Sequence, residues 1–421
     1  MEVPKQRPMP EESLDAIVAI LDLVRRGRAH SRAEITERTG LSRAIVTQRV
    51  NELLTRGFVV ESVAPSTGGR PPRQLEFRAD AGHLLVADIG ATSIDVALAD
   101  AAGHILARLG EDAEVDSGPA VILGRVEVLF DRLIAEHEAP GELWGLGIGV
   151  PGPVEFRTGH PISPPIMPGW ERFPVREHFS ERYAVPTWVD NDVNIMALGE
   201  WRSGAARDHR NFIFVKVGTG IGSGIVSNGV IHRGAQGSAG DIGHIQIVGD
   251  TREVCRCGKV GCLEALAGGA ALAREGMAIA ESGRSERLAT ILADRGELTA
   301  REVIRAARVG DAAALELLNH SATLVGQTLA GLANFFNPSL IVLGGGVASA
   351  GDAYLATIRQ VIYARSTALA TRELLVQMSR LGHRAGVMGA ASMVLDELFS
   401  PAHLGRWIDR GRPAGMSVAA A

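Results

Sequence analysis

All three cysteines of the 421-residue chain lie within eight positions, Cys255, Cys257 and Cys262 of CRCGKVGC, and His244 stands eleven residues before the first. Three thiolates and one imidazole make a closed tetrahedral Zn²⁺ set of the structural kind, and Gly258 and Gly261 let the backbone turn tightly around an ion. An odd cysteine count spent in one cluster leaves nothing for a disulfide framework. Such a clip pins the segment that carries His244 and Glu264, so those side chains would act from a rigid base.

A second chemistry is written in glycines. ADIGATS, KVGTGIGSG and VLGGGVAS each follow an apolar strand and place Asp88, Gly90 and Thr92, then Gly218, Thr219 and Gly220, then Gly344, Gly345 and Gly346 at bends. Glycine bends leave backbone N–H groups free to face phosphate oxygens, and threonine adds a hydroxyl. Gly147, Gly149 and Gly152 also match a dinucleotide fingerprint. Pro151 and Pro153 bracket the last of them and no amphipathic helix follows, so this match is set aside.

The elements that must hold these groups divide the chain. Residues 81–400 read as an α/β body with two glycine-bend hairpins, a helical stretch from Glu286 to Phe336 broken at Gly296 and Gly310, and a last helix from Gly386 to Phe399. Residues 401–421 read as a frayed tail. The chain carries a net charge of −5, yet Arg25 to Arg73 hold 10 basic against 4 acidic side chains. A basic head on an acidic body suits a nucleic-acid contact. The N-terminus lacks the apolar core of a signal peptide and no apolar run is long enough for a membrane, so a cytoplasmic location is expected.

Residues 1–80 form that head. Leu14, Ile17, Ile20, Leu21 and Val24 predict one amphipathic helix. Ser31 with Glu34 predicts a capping box on a second helix ending at Gly40, and Ser42 caps a third. Ile45, Val46, Val50, Leu53 and Leu54 would share its buried face, leaving Arg43, Thr47, Gln48, Arg49 and Asn51 outward. This is a helix-turn-helix pattern for the major groove of operator DNA. The following strands predict a wing, with Arg70 and Arg73 at its tip to meet phosphates or the minor groove.

DIGAT at 88–92, GVPGP at 149–153, VDNDVN at 189–194, GTGIG at 218–222, GDIGH…CRCGKVGCLE at 240–264 and VLGGG at 342–346 together resemble the ROK family of sugar kinases and sugar-responsive repressors. The winged head is similar to its repressor branch. The resemblance implies an actin/hexokinase-like pair of lobes with a sugar and ATP cleft between them, and a homodimer or higher assembly; the ligand expected for a regulator is a sugar or sugar phosphate. It implies Asp192 as general base on a sugar hydroxyl, with Asn191, Asp241, His244 and Glu264 as sugar ligands. Carboxylates, an amide and an imidazole suit hydroxyls that each donate and accept. Where kinases of the family carry a second glycine and a lysine in the first loop, this chain has Ala91 and Ser93, and Ile166 stands for an asparagine. Asp241 replaces a glutamate. The expected function is therefore a sugar-responsive DNA-binding regulator, with an ATP- and Mg²⁺-dependent sugar kinase as the alternative.

Overall fold

The computed structural model describes residues 11–63, 73–416 and 418. The head comprises α1 (Glu11–Arg25), α2 (Arg32–Thr39), α3 (Arg43–Thr55) and the antiparallel hairpin β1 (Val59–Val63) and β2 (Arg73–Phe77). Local chemistry sets its boundaries. The Ser31 and Ser42 hydroxyls accept from the N–H groups of Glu34 and Ile45, and Gly40 ends α2 in the left-handed region at φ 69°. The expected capping box is shifted by one residue, because the Glu34 carboxylate accepts from the N–H of His30 rather than that of Ser31.

The first lobe follows with β3 (Gly82–Ile89), β4 (Ser93–Asp100), β5 (Ile105–Asp112), α4 (Pro119–Glu136), β6 (Glu142–Val150), a short hairpin of β7 (Val154–Glu155) and β8 (His160–Pro161), α5 (Val175–Tyr183) and β9 (Thr187–Asn191). After α6 (Asp192–Ser203) come β10 (Phe212–Val217), β11 (Ile221–Ser227), β12 (Val230–His232), α7 (Leu263–Ala267) and α8 (Gly269–Glu281). The chain continues with α9 (Glu286–Arg295), α10 (Ala300–Arg308), α11 (Ala312–Phe336), β13 (Leu340–Gly344), α12 (Asp352–Arg365), α13 (Ala368–Thr371) and β14 (Leu375–Met378). It closes with α14 (Ala385–Leu398) and α15 (Pro401–Trp407).

The strands form two five-stranded sheets, β5-β4-β3-β6-β9 and β12-β11-β10-β13-β14. In each, a glycine-bend hairpin supplies antiparallel strands and later crossovers add two parallel ones. The likeness thus extends from the two bends to whole sheets, which share one strand order and one pattern of strand directions. Helix α14 lies on β3 and β6, α6 lies on β10 and β11, and the two helices pack on each other between the sheets. They meet backbone to backbone. A Cβ at Gly199 would overlap the Ala385 carbonyl oxygen and one at Gly389 the Ile195 carbonyl oxygen.

One expectation fails outright. Much of the supposed tail is packed: Leu404, Trp407, Ile408 and Met416 are buried in the same hydrophobic cluster as Ile17, Ile20, Phe58 and Trp144. Trp407 packs edge-on against Phe58 at 5.5 Å and donates its Nε1–H to the Leu398 carbonyl at 2.9 Å. The small, polar character of RGRPAGM hides this because the anchors are a few widely spaced apolar residues. The core of the head therefore continues into the first lobe rather than ending at a linker. Among the described residues no helix is long and apolar enough to cross a membrane.

Candidate functional site: a cleft between the lobes and an exposed recognition helix

Asn191 and Asp192 end β9 and begin α6 at the floor of a cavity of about 1240 Å³. Asn191, not Asp192, is the helix cap. Its Oδ1 accepts from the N–H groups of Val193 and Asn194, and its Nδ2 donates to the Gly152 carbonyl at 2.9 Å and to Asp192 Oδ1 at 3.1 Å. Asp192, 4% exposed, also accepts the Val193 N–H on Oδ1 and the ammonium of Lys216 on Oδ2 at 2.6 Å. Lys216 projects from β10 into the same cavity. Sequence reasoning missed it, although it is one of only three lysines in the chain and interrupts the apolar run FIFVKV.

Asp241, His244 and Glu264 line the same cavity. Glu264, in the first turn of α7, is held by the Ile221 N–H at 3.0 Å. His244 faces two ways. Its Nδ1 lies 3.4 Å from Cys255 Sγ, while its Nε2 lies 3.9 Å from Asp241 Oδ1. Ligand atoms of His244, Cys255, Cys257 and Cys262 all fall within 4.8 Å of one another, a group that could hold a metal ion. Cys262 directly precedes α7, so an ion there would tie His244 and Glu264 into one rigid wall.

The glycine loops are only partly as expected. Gly90, Thr92, Gly218, Thr219, Gly220 and Gly346 line the cavity. The N–H of Gly90 is spent on the Ser93 carbonyl and that of Gly218 on the Gly220 carbonyl, so neither faces a phosphate. Gly344 and Gly345 lie beneath the wall instead, where a Cβ would strike the Phe214 ring or the Val217 backbone. Ala91, Ser93 and Ile166 do line the cavity, so the departures from the kinase pattern sit where a ligand would. Asp88 is buried, and its Oδ1 has no hydrogen-bond partner among the described residues. Burial pushes its carboxyl up to about 7, with Lys216 opposing and Asp192 and Asp95 adding to the rise.

On the head, Val46, Val50 and Leu53 of α3 are buried, and Arg43, Thr47, Gln48 and Asn51 are exposed. Ile45 belongs to the outer face, 40% exposed, because α3 buries a narrower stripe than the sequence pattern suggests. Arg49 pairs with Glu52 at 2.6 Å, and Asn51 accepts from Arg32 at 3.1 Å. Arg73 pairs with Glu61 at 2.8 Å, while Arg70 lies outside the described residues.

The architecture is a three-helix head with a strand hairpin, joined to a two-lobed α/β body with a cleft between the lobes. The chain belongs to the ROK family, whose model matches residues 85–397. It is 37% identical to a glucokinase of Halalkalibacterium halodurans over 73% of this chain and 93% of that protein. It is 32% identical to a putative xylose repressor of Caldicellulosiruptor sp. over 384 residues, 90% of this chain and 95% of that one. The latter match is longer than the 337 residues from Leu85 to the C-terminus, so it runs into the head. In fold the chain is similar to a ROK family transcriptional regulator homologous to the E. coli MLC protein, with a TM-score of 0.80, 24% identity and coverage of 95% and 100%.

Proposed function

We propose that this protein is a sugar-responsive transcriptional regulator, most simply a repressor, of carbohydrate metabolism in the cytoplasm. The observation that carries the reading is the outward face of α3, Arg43, Thr47, Gln48 and Asn51, on a head whose core continues into the first lobe of a body with a polar cleft roomy enough for a sugar. Gln48 suits bidentate contact with adenine, and Arg43 suits guanine or a phosphate. Arg49 and Arg73 reach DNA by exchanging their carboxylate partners for phosphates. In a homodimer, two copies of α3 would meet half-sites about 34 Å apart, and a sugar that alters their spacing changes affinity.

In the cleft, Asn191, Asp192, Asp241, His244 and Glu264 would share the sugar hydroxyls, His244 through Nε2. The Cys₃His group suits Zn²⁺, because tetrahedral thiolate and imidazole donors favour that ion and leave no open position for catalysis. Its role is to brace the wall. Fluorescence anisotropy on the DNA upstream of the coding sequence, at two salt concentrations and with D-xylose, D-glucose or N-acetylglucosamine, tests the function. Salt-sensitive binding that one sugar shifts severalfold is expected. No binding under any condition would sink the reading.

A second reading, ATP-dependent phosphoryl transfer to the sugar, is favoured by Asp192 standing at a helix start in the cleft and by the glucokinase similarity. Release of ADP on adding a hexose, abolished by Asp192→Asn, would establish it.

A further inference from the structure

The cavity needs a base if it is to phosphorylate a sugar, and the state of Asp192 decides whether one exists. A general base must present a free lone pair to the hydroxyl it deprotonates. Asp192 Oδ1 already accepts two N–H donors, from Val193 and from Asn191 Nδ2, and Oδ2 accepts a Lys216 N–H at 2.6 Å. A carboxylate offers about four acceptor positions, so three are filled before any ligand arrives. The partner on Oδ2 is the Lys216 ammonium, which sits on the face of the carboxylate that lines the cavity.

Lys216 is also placed to exclude a second cation. Asp88 and Asp95 act on it together with Asp192, while Arg108 pairs with Asp95. Burial works against the ammonium, but these carboxylates outweigh it and hold the lysine charged. A magnesium ion delivered with ATP would need the same carboxylate oxygens and would meet the ammonium at close range. The donor set therefore does not fit a metal–nucleotide complex at this end of the cleft.

We propose that Lys216 is a built-in counter-cation that occupies the place of a catalytic divalent ion beside Asp192 and makes the cleft a sugar receptor without phosphoryl transfer. The inference rests on the reading that this cavity holds the sugar, and it assigns Lys216 as a positioning residue. With one N–H spent on Asp192, two donors remain to face a hydroxyl acceptor in the cavity.

The test compares the full-length protein with Lys216→Met and with Lys216→Met/Asp192→Asn. Melting temperature is followed with and without millimolar Mg²⁺, and ADP release is followed with Mg²⁺-ATP plus D-glucose or D-xylose. Wild type is expected to be insensitive to Mg²⁺ and to release no ADP. The single variant, left with uncompensated buried carboxylates, is expected to melt several degrees lower and to recover on adding Mg²⁺. The double variant, a neutral pair, is expected to recover without it. ADP release by wild type that Asp192→Asn abolishes overturns the proposal, as does a single variant as stable as wild type, one that Mg²⁺ does not restore, or a double variant that does not recover. Failure of wild type to bind DNA would remove the regulator reading while leaving these outcomes unchanged.

Discussion

Asp396, near the end of α14, joins Arg25 of the head to Arg202 at the end of α6. One carboxylate oxygen accepts from Arg25 at 3.1 Å and from Arg26 at 3.0 Å, and the other accepts Arg202 Nε at 3.1 Å. Helix α6 begins at Asn191 and Asp192, and Gly386 at the start of α14 abuts Asp88. Two helices locked backbone to backbone thus run from Asp192 in the cleft and from buried Asp88 to the clamp on α1. Contiguity of this kind becomes coupling only if both ends bias one equilibrium, which makes the clamp the place to test it.

Asp396→Asn removes the charge that three guanidinium groups share. Because the side chain is 25% exposed, a loss of about 2–3 kcal/mol is expected rather than the full cost of a deeply buried pair. Sugar affinity should stay within a few fold while the sugar's effect on DNA affinity disappears. DNA binding that responds to sugar as in wild type would separate the clamp from signalling.

The same carboxylate predicts an acid response. Burial raises its proton affinity, but Arg202, Arg26 and Arg25 outweigh that and hold it below the ordinary carboxylate range. A depressed value stabilises the fold above the unfolded-state value, and that contribution is lost as pH falls through the folded one. Below about pH 4 the head should loosen from the body, and hydrogen exchange should report it first in α1.

Asp88 behaves oppositely. With its carboxyl raised to about 7, the folded chain keeps a proton that the unfolded chain has lost between about pH 4 and 7, so stability falls as pH rises through that window. Asp88→Asn should gain on wild type towards pH 8, by at most about 4 kcal/mol, and little at pH 4. Parallel melting curves across that range would refute the assignment.

Trp407 fixes α15 against the core of the head. Trp407→Ala should cost about 3–5 kcal/mol through the cavity it leaves among Phe58, Trp144 and Phe399. Truncation after Ser400 should be at least as damaging in thermal denaturation, whereas a truly frayed tail would leave the midpoint unmoved.

Metal analysis of the purified protein should find about one zinc per chain, lost on treatment with a chelator or in Cys257→Ser. Sugar-induced stabilisation should be lost with it, because an ion held there would brace His244 and Glu264. Retained sugar binding in a metal-free protein would limit the cluster to local folding.

What the sequence determined was local. The Ser31 and Ser42 caps, the Gly40 turn, the glycine bends and the cysteine cluster each follow from groups a few residues apart, where backbone geometry and hydrogen-bond chemistry leave little choice. The order of motifs then named the family, and with it the cleft. Partner choice between distant residues was decided by tertiary structure alone. Lys216 meets Asp192 across 24 residues, and Arg25 meets Asp396 across 371. Trp407 is core because α15 returns to the head, and Gly345 is packing because β10 lies over it. A charge or an indole carries no mark of the surface it will face. That is set only when two sheets and the helices between them close, and here the closure places the Lys216 ammonium on the Asp192 carboxylate.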